Sequence, residues 1–117
     1  MSDKLNQVVG AEGGVSVVVV GNKADSGKPM MGEIPPCAML DVAKVLTFGA
    51  GKYGRGNWRA VDNARVRYLD AAIRHINAYQ RGELTDDESG ESHLAHAVCS
   101  LLFIMELSDD KANQGGI

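Results

Sequence analysis

No stretch of this 117-residue chain is apolar for long enough to cross a bilayer, and its first residues are polar, without the apolar core of a secretory signal. Neither a membrane partner nor export is expected, and the chain reads as cytoplasmic. There is no basic excess either: Lys and Arg number 12 against 15 Asp and Glu, a net charge of -3, which argues against a nucleic-acid polymer as partner. Cysteine is scarce. Cys37 and Cys99 lack metal-type spacing, and a reduced intracellular chain accounts for them. No internal repeat is present, and the length suits a single domain over 1–117.

Within that frame the pattern predicts a mainly α fold, a small helical bundle of three core helices with a short N-terminal β hairpin or strand. The valines of 8–20 are the only β-like run, turned at Gly10, Gly13 and Gly14. All three prolines and several Gly, Lys and Asp residues place a loop over 21–36, followed by a helical core over 37–107 and a flexible tail over 108–117. Pro35-Pro36 opens a first helix with Met39, Val42, Ala43 and Leu46 on one face, ending at Gly49 or Gly51. A second helix is expected over 64–81, with Val66, Leu69, Ile73 and Ile76 inward and Gly82 as its stop. A third is expected over 86–107, with Leu94, Val98, Leu101 and Met105 inward. It is apolar on nearly every side, as a helix buried in a bundle or at a subunit contact would be, so a homo-oligomer is expected.

The octet Lys52-Tyr53-Gly54-Arg55-Gly56-Asn57-Trp58-Arg59 joins three cations, a tyrosine and the single tryptophan to two glycines. Glycines admit a ligand close to the backbone, Lys and Arg match phosphate oxygens, and an aromatic ring offers a face to a base. The same octet also reads as an exposed turn around a buried Trp anchor. Three nearby patterns mislead. Asn22-Lys23-Ala24-Asp25 copies a guanine-recognition motif, but no phosphate loop precedes it. The 21–29 segment imitates a phosphate loop with one residue too many and Pro29 where a hydroxyl should hold magnesium. Gly49-Ala50-Gly51-Lys52-Tyr53-Gly54 spells G-x-G-x-x-G but follows a helix instead of a strand.

Charge is divided along the chain: 44–81 is rich in Lys and Arg, whereas 83–91 is acidic, a split that suits an anionic ligand held with a divalent metal. Asp70, Arg74 and His75 fall within one and a half turns, and Asp70 with Arg74 could equally be an i,i+4 surface ion pair. His93 and His96 share a face just beyond Glu88 and Glu91. Two histidines beside carboxylates can hold a metal or move a proton. Against this, Thr85-Asp86-Asp87-Glu88 has the form of a capping box, and a histidine beside an apolar run can be a satisfied core group.

In order along the chain, Lys23-x-Asp25-x-Gly27-Lys28-Pro29, Val45-Leu46-Thr47-Phe48-Gly49-Ala50-x-Lys52-Tyr53-Gly54, Asn57-Trp58-Arg59, Tyr68-x-Asp70-Ala71-x-x-Arg74-His75, Gly82-Glu83 and Glu88-Ser89-Gly90-x-x-His93-Leu94-x-His96-Ala97 resemble a phage family of dATP/dGTP diphosphohydrolases, N-terminal type. The resemblance spans 23–107. It implies a small all-α enzyme, akin in activity to MazG-like pyrophosphohydrolases, that cleaves a purine deoxynucleoside triphosphate to monophosphate and pyrophosphate with Mg2+ or Mn2+ in the host cytoplasm. MazG-like enzymes bind metal through E-x-x-E and E-x-x-D pairs on facing helices. Glu88-x-x-Glu91 and Glu106-x-x-Asp109 match in letters, yet on one continuous helix Glu88 and Glu106 would lie roughly 27 Å apart.

The residues expected to carry chemistry are therefore Asp70, Glu88, His93 and His96 as catalytic groups, and Asp70, Glu83, Asp87 and Glu88 as metal ligands. Lys28, Lys52, Tyr53, Asn57, Trp58, Arg59, Arg74 and His75 are the expected nucleotide contacts. A nucleotide-binding phage protein without turnover, a sponge or regulator, would need the same cationic loop but no metal. A purely structural helical oligomer would need neither.

Overall fold

The computed structural model describes Val8, Val9 and residues 17–113, with side chains from 19 to 108. The chain divides into two compact units, Met1–Met31 and Gly32–Ile117. In the first, β1 (Val8–Val9) pairs antiparallel with β2 (Val17–Val18), Val8 opposite Val18. Two residues a side fall short of an independently stable sheet; of the expected β element, residues 10–16 lie outside the described residues, and Val19 and Val20 are not strand.

The second unit is helical: α1 (Pro36–Tyr53), a 3-10 turn (Asn57–Ala60), α2 (Ala64–Gln80) and α3 (His93–Asn113). The first helix starts at the proline pair but runs through Gly49 and Gly51, one turn beyond its expected end, and stops at Gly54, whose amide donates to the Ala50 carbonyl (2.8 Å). The second ends as the sequence predicts. Gly82, at φ +96°, donates to the Tyr79 carbonyl (2.9 Å) while Glu83 donates to Ala78 (3.0 Å), the paired bonds of a Schellman stop.

The third helix begins seven residues later than expected. Asp86 does not sit in a first helical turn; its Oδ2 accepts the amides of Glu88 (3.1 Å) and Ser89 (2.9 Å), which closes a local turn that competes with helix. Gly90 at φ +74° carries the chain back, and the Asp86 amide donates to the Glu91 carbonyl (2.8 Å). An antiparallel bridge between Thr85 and Ser92 pins the base of this loop. Ser92 is the actual cap: its Oγ accepts the Ala95 amide (3.2 Å) and its carbonyl the His96 amide (3.0 Å). The Thr85-to-Glu88 capping box is thus not formed, and Glu88 belongs to a loop. At its other end α3 continues to Asn113, past the start expected for the tail.

Both α1 and α2 pack on α3. The α1–α3 core is Val45, Ala95 and Cys99, with Val42 and Phe103 against it. Along α2 the covered positions are Ala64, Tyr68, Ala71, Ala72, His75 and Ala78, a four-three alternation that forms a seam of small and polar residues. The apolar stripes expected to face inward do not. Val66, Leu69, Ile73 (55% exposed) and Ile76 on α2, and Leu94, Val98, Leu101 and Met105 (63%) on α3, stand open on the single chain. Periodicity identifies an apolar stripe correctly but does not say what covers it.

The two candidate caps make the placement of α3 testable. Ser92→Ala should lower unfolding free energy by about 1 kcal/mol in denaturant titration, whereas Thr85→Ala, with no side-chain bond to lose, should change it by less than about 0.5 kcal/mol. The reverse ranking would place the helix start at the capping box.

Candidate functional site

An open groove of about 1120 Å³ is lined by α1, the glycine-rich turn, α2 and α3. The end of α1 supplies Phe48, Lys52 and Tyr53, α2 supplies Arg67, Tyr68, Asp70, Arg74 and His75, the acidic loop supplies Asp86 and Glu88, and α3 supplies His96 and Phe103. The Schellman stop and the Asp86 turn bring the acidic loop back over the end of α2, which is how residues distant in sequence share one surface.

At the acidic end the three histidines of the chain meet. His75 Nδ1 lies 2.8 Å from His93 Nδ1, and the His75 ring stacks on His96 at 4.4 Å. Ser89 Oγ, which accepts the Glu91 amide (3.0 Å), pairs with His96 Nε2 at 2.7 Å. Burial pushes His75 below the ordinary histidine value, and the neighbouring His96 and His93 push in the same direction. His96 is also lowered by burial, against the opposing pull of Asp86. Asp86 itself is held below the ordinary carboxyl value: burial opposes its charge, but the Ser89 amide and the adjacent imidazoles outweigh burial. The site therefore offers neutral imidazoles beside a fixed carboxylate.

The cationic side is less uniform than the sequence suggests. Lys52 Nζ reaches Glu88 Oε2 at 2.5 Å, an ion pair that ties the end of α1 to the acidic loop and raises the lysine above its ordinary value. Arg67 is paired with Asp62 at 2.8 Å. The i,i+4 pair of Asp70 with Arg74 is not formed; both side chains are exposed in the groove with no ion pair among the described residues.

Trp58 is half-buried, stacked on Phe103 (4.6 Å, 11°) on one face with the Arg59 guanidinium over its ring at 4.3 Å. Its backbone carbonyl accepts from Tyr68 (3.3 Å). Tryptophan is thus an anchor of the turn, and Tyr53, 62% exposed, is the more open ring, with Lys52 Nζ over it at 5.1 Å.

Of the residues singled out from sequence, Lys52, Tyr53, Asn57, Trp58, Asp70, Arg74, His75, Glu88 and His96 line the groove. His93 is buried behind it, and Arg59, Glu83 and Asp87 are not on its lining. Lys28 belongs to the first unit, where its amide donates to the Asp25 carbonyl (3.1 Å). Sequence reasoning missed Asp86 and Ser89. The signal for Asp86 was its position two and three residues before amides that an Asx turn can use. Among the described residues, one set of three potential metal ligands converges, His75, Asp86 and His93, with ligand atoms all within 4.8 Å of one another.

Residues 20–115 match the family model described as dATP/dGTP diphosphohydrolase, N-terminal. A protein of Salmonella phage PMBT28 named dATP/dGTP diphosphohydrolase is 39% identical over 93 residues, which make up 80% of this chain and 31% of that protein. The chain thus spans under a third of the length of this curated relative. No solved structure matches.

The lowered histidines set an expected pH response. Because their folded values lie below the unfolded value of 6.5, the unfolded chain takes up protons first as pH falls. The stability that depends on neutral His75 and His96 is complete above pH 6.5 and is lost as the pH falls from there through their folded values; Asp86 adds its loss only below 3.8. In chelator-treated buffer, the melting temperature should be level near pH 8 and decline as the pH is lowered below about 6.5, with a shallower decline in His75→Gln. A level profile through that window would show that the imidazoles are not held neutral.

Proposed function

The chain belongs to the dATP/dGTP diphosphohydrolase, N-terminal family, and on that premise we propose that it hydrolyses a purine deoxynucleoside triphosphate to the monophosphate and pyrophosphate. The observation that carries this reading is the groove itself, where unpaired Arg74, the Lys52–Glu88 pair, an unpaired Asp70 and the neutral histidines share one wall-to-wall surface. Its volume is ample for a nucleotide. Arg74 and Lys52 meet phosphate oxygens, and the exposed ring of Tyr53 offers a face to the base.

The carboxylates of Asp70 and Glu88 are hard oxygen donors of the kind that Mg2+ or Mn2+ accepts, and both line the groove. When bound, such an ion would supply charge neutralisation at the phosphates. Water attacks the α-phosphorus, the bond from that phosphorus to the α–β bridging oxygen breaks, and pyrophosphate leaves. The proton from water passes to an imidazole of the His75–His96 stack, which the fold keeps unprotonated.

The open apolar stripes of α2 and α3 support a homo-oligomer, since a second copy is the simplest cover for surface that one chain leaves to water. Sedimentation at micromolar concentration should give a mass above that of one chain, and Ile73→Asp should reduce it. A monomeric parent would overturn this part.

A release assay for pyrophosphate and phosphate across dNTPs and NTPs, with Mg2+ or Mn2+, tests the reaction. Pyrophosphate from dATP or dGTP is expected, with loss of turnover in Asp70→Asn and an intact fold. Arg74→Ala should weaken substrate binding by about 1.5–3 kcal/mol, the value of a charge-assisted bond. Nucleotide binding without turnover at any metal would instead support a sponge.

A further inference from the structure

We propose that His75, His93 and Asp86 form a binding site for a divalent transition-metal ion of the zinc class, separate from the oxygen ligands of the hydrolytic reading. The three side chains come from α2, α3 and the intervening loop, and their ligand atoms already lie within 4.8 Å of one another. In tetrahedral coordination two atoms each about 2.0–2.1 Å from one zinc-sized ion stand about 3.3 Å apart, so the widest pair of the set closes by up to about 1.5 Å on binding. The closest pair, His75 Nδ1 and His93 Nδ1 at 2.8 Å, would open to about 3.3 Å in tetrahedral coordination.

Two imidazole nitrogens facing each other cannot both present lone pairs. Without an ion, one must carry a proton; with an ion between them, both lone pairs are used. His93 is nine-tenths buried, and its other nitrogen, Nε2, has no hydrogen-bond partner. Glu83 Oε1 lies 3.7 Å from it. Metal at Nδ1 fixes the tautomer so that Nε2 carries hydrogen and points to that carboxylate, the outer-shell arrangement usual for ligating histidines.

Asp86 is prepared in the same sense. Both amides that orient it go to Oδ2, which leaves Oδ1 without a hydrogen bond among the described residues. Three protein ligands at the edge of an open groove leave a coordination position for water, the pattern of reactive rather than structural zinc sites. Imidazole nitrogen favours zinc-class ions over magnesium, which distinguishes this ligand set from Asp70 and Glu88. His96, stacked on His75 but paired to Ser89, stays outside the set and remains able to take up a proton.

Two of the chain's three histidines are ligands of this set, and the third, His96, stands beside it. The test is titration of the chelator-stripped full chain with Co2+, without nucleotide, read by visible absorption, and with Zn2+, read by melting temperature. One ion per chain, a Co2+ spectrum without thiolate charge transfer, and a rise in melting temperature with Zn2+ are expected. His75→Gln, which replaces a half-exposed ligand, should abolish binding while its far-ultraviolet circular dichroism stays parental. Asp86→Asn should weaken binding, and Glu83→Gln should weaken it about 10- to 100-fold. Asp70→Asn should leave it unchanged. The proposal fails if the parent shows neither signal, if His75→Gln binds as the parent does, or if Asp70→Asn alone removes the ion. None of these readouts depends on turnover, so they stand or fall apart from the hydrolase reading.

Discussion

The contact between His75 and His93 depends on how closely α2 can approach α3, and most of the site depends on that contact. Small side chains set the approach. On the α2 side Ala72 and Ala78 are nearly inaccessible, and among the described residues no large side chain is fully buried. Helix separation follows the size of the residues at the crossing. Larger residues there would part the imidazoles and dismantle the stack of His75 on His96. The loop between the helices must then reverse within a few residues, and it does so with backbone bonds: the Schellman stop at Gly82, the Asp86 turn, the Thr85–Ser92 bridge and the Ser92 cap. Each of these also places a functional group, so the turn that ends one helix and starts the next is the scaffold of the acidic end.

Electrostatics along the groove follow a simple division. Lys52 and Glu88 are paired, yet both are well exposed, and such a bridge is worth about 0–1 kcal/mol. A ligand can therefore take over either partner at small cost: phosphate for the lysine, a cation for the carboxylate. Among the described residues, Arg74 and Asp70 have no ion pair. A groove that holds its charges loosely binds a polyanion with its counter-ion better than one whose charges are locked in buried pairs, where breaking a pair costs several kcal/mol.

The helices themselves were legible because their signals are local: Pro35-Pro36 for one start, Gly82 for one stop, and the apolar periods of α2 and α3. The start of α3 was not legible. Thr85 and Glu88 carry the right letters for a cap, and only the competing Asx turn at Asp86, a contest of a few hydrogen bonds, decides against them. The octet was read for its cations and rings, and the structure divides these. Lys52, Tyr53 and Trp58 all line the groove, but Trp58 is also held by a stack on Phe103, a long-range contact that spacing cannot reveal. The meeting of His93 with His75 needed the register between two helices. Sequence supplied their shared presence on adjacent helices but not the offset.

The same offset explains why the inward face was misassigned. On α2 the Val66, Leu69, Ile73, Ile76 stripe and the Ala64, Tyr68, Ala71, His75, Ala78 seam lie beside each other, and a hydrophobicity rule always chooses the first. The chain buries the second, which is costly unless the apolar stripe finds another cover. A fold that spends its own interior on alanines and histidines secures a closely held polar cluster, and it leaves its main apolar stripes exposed on the single chain. Stability and site formation are then coupled: whatever covers Ile73 and Met105 also steadies the pair of helices that bring His75, His93 and Asp86 together.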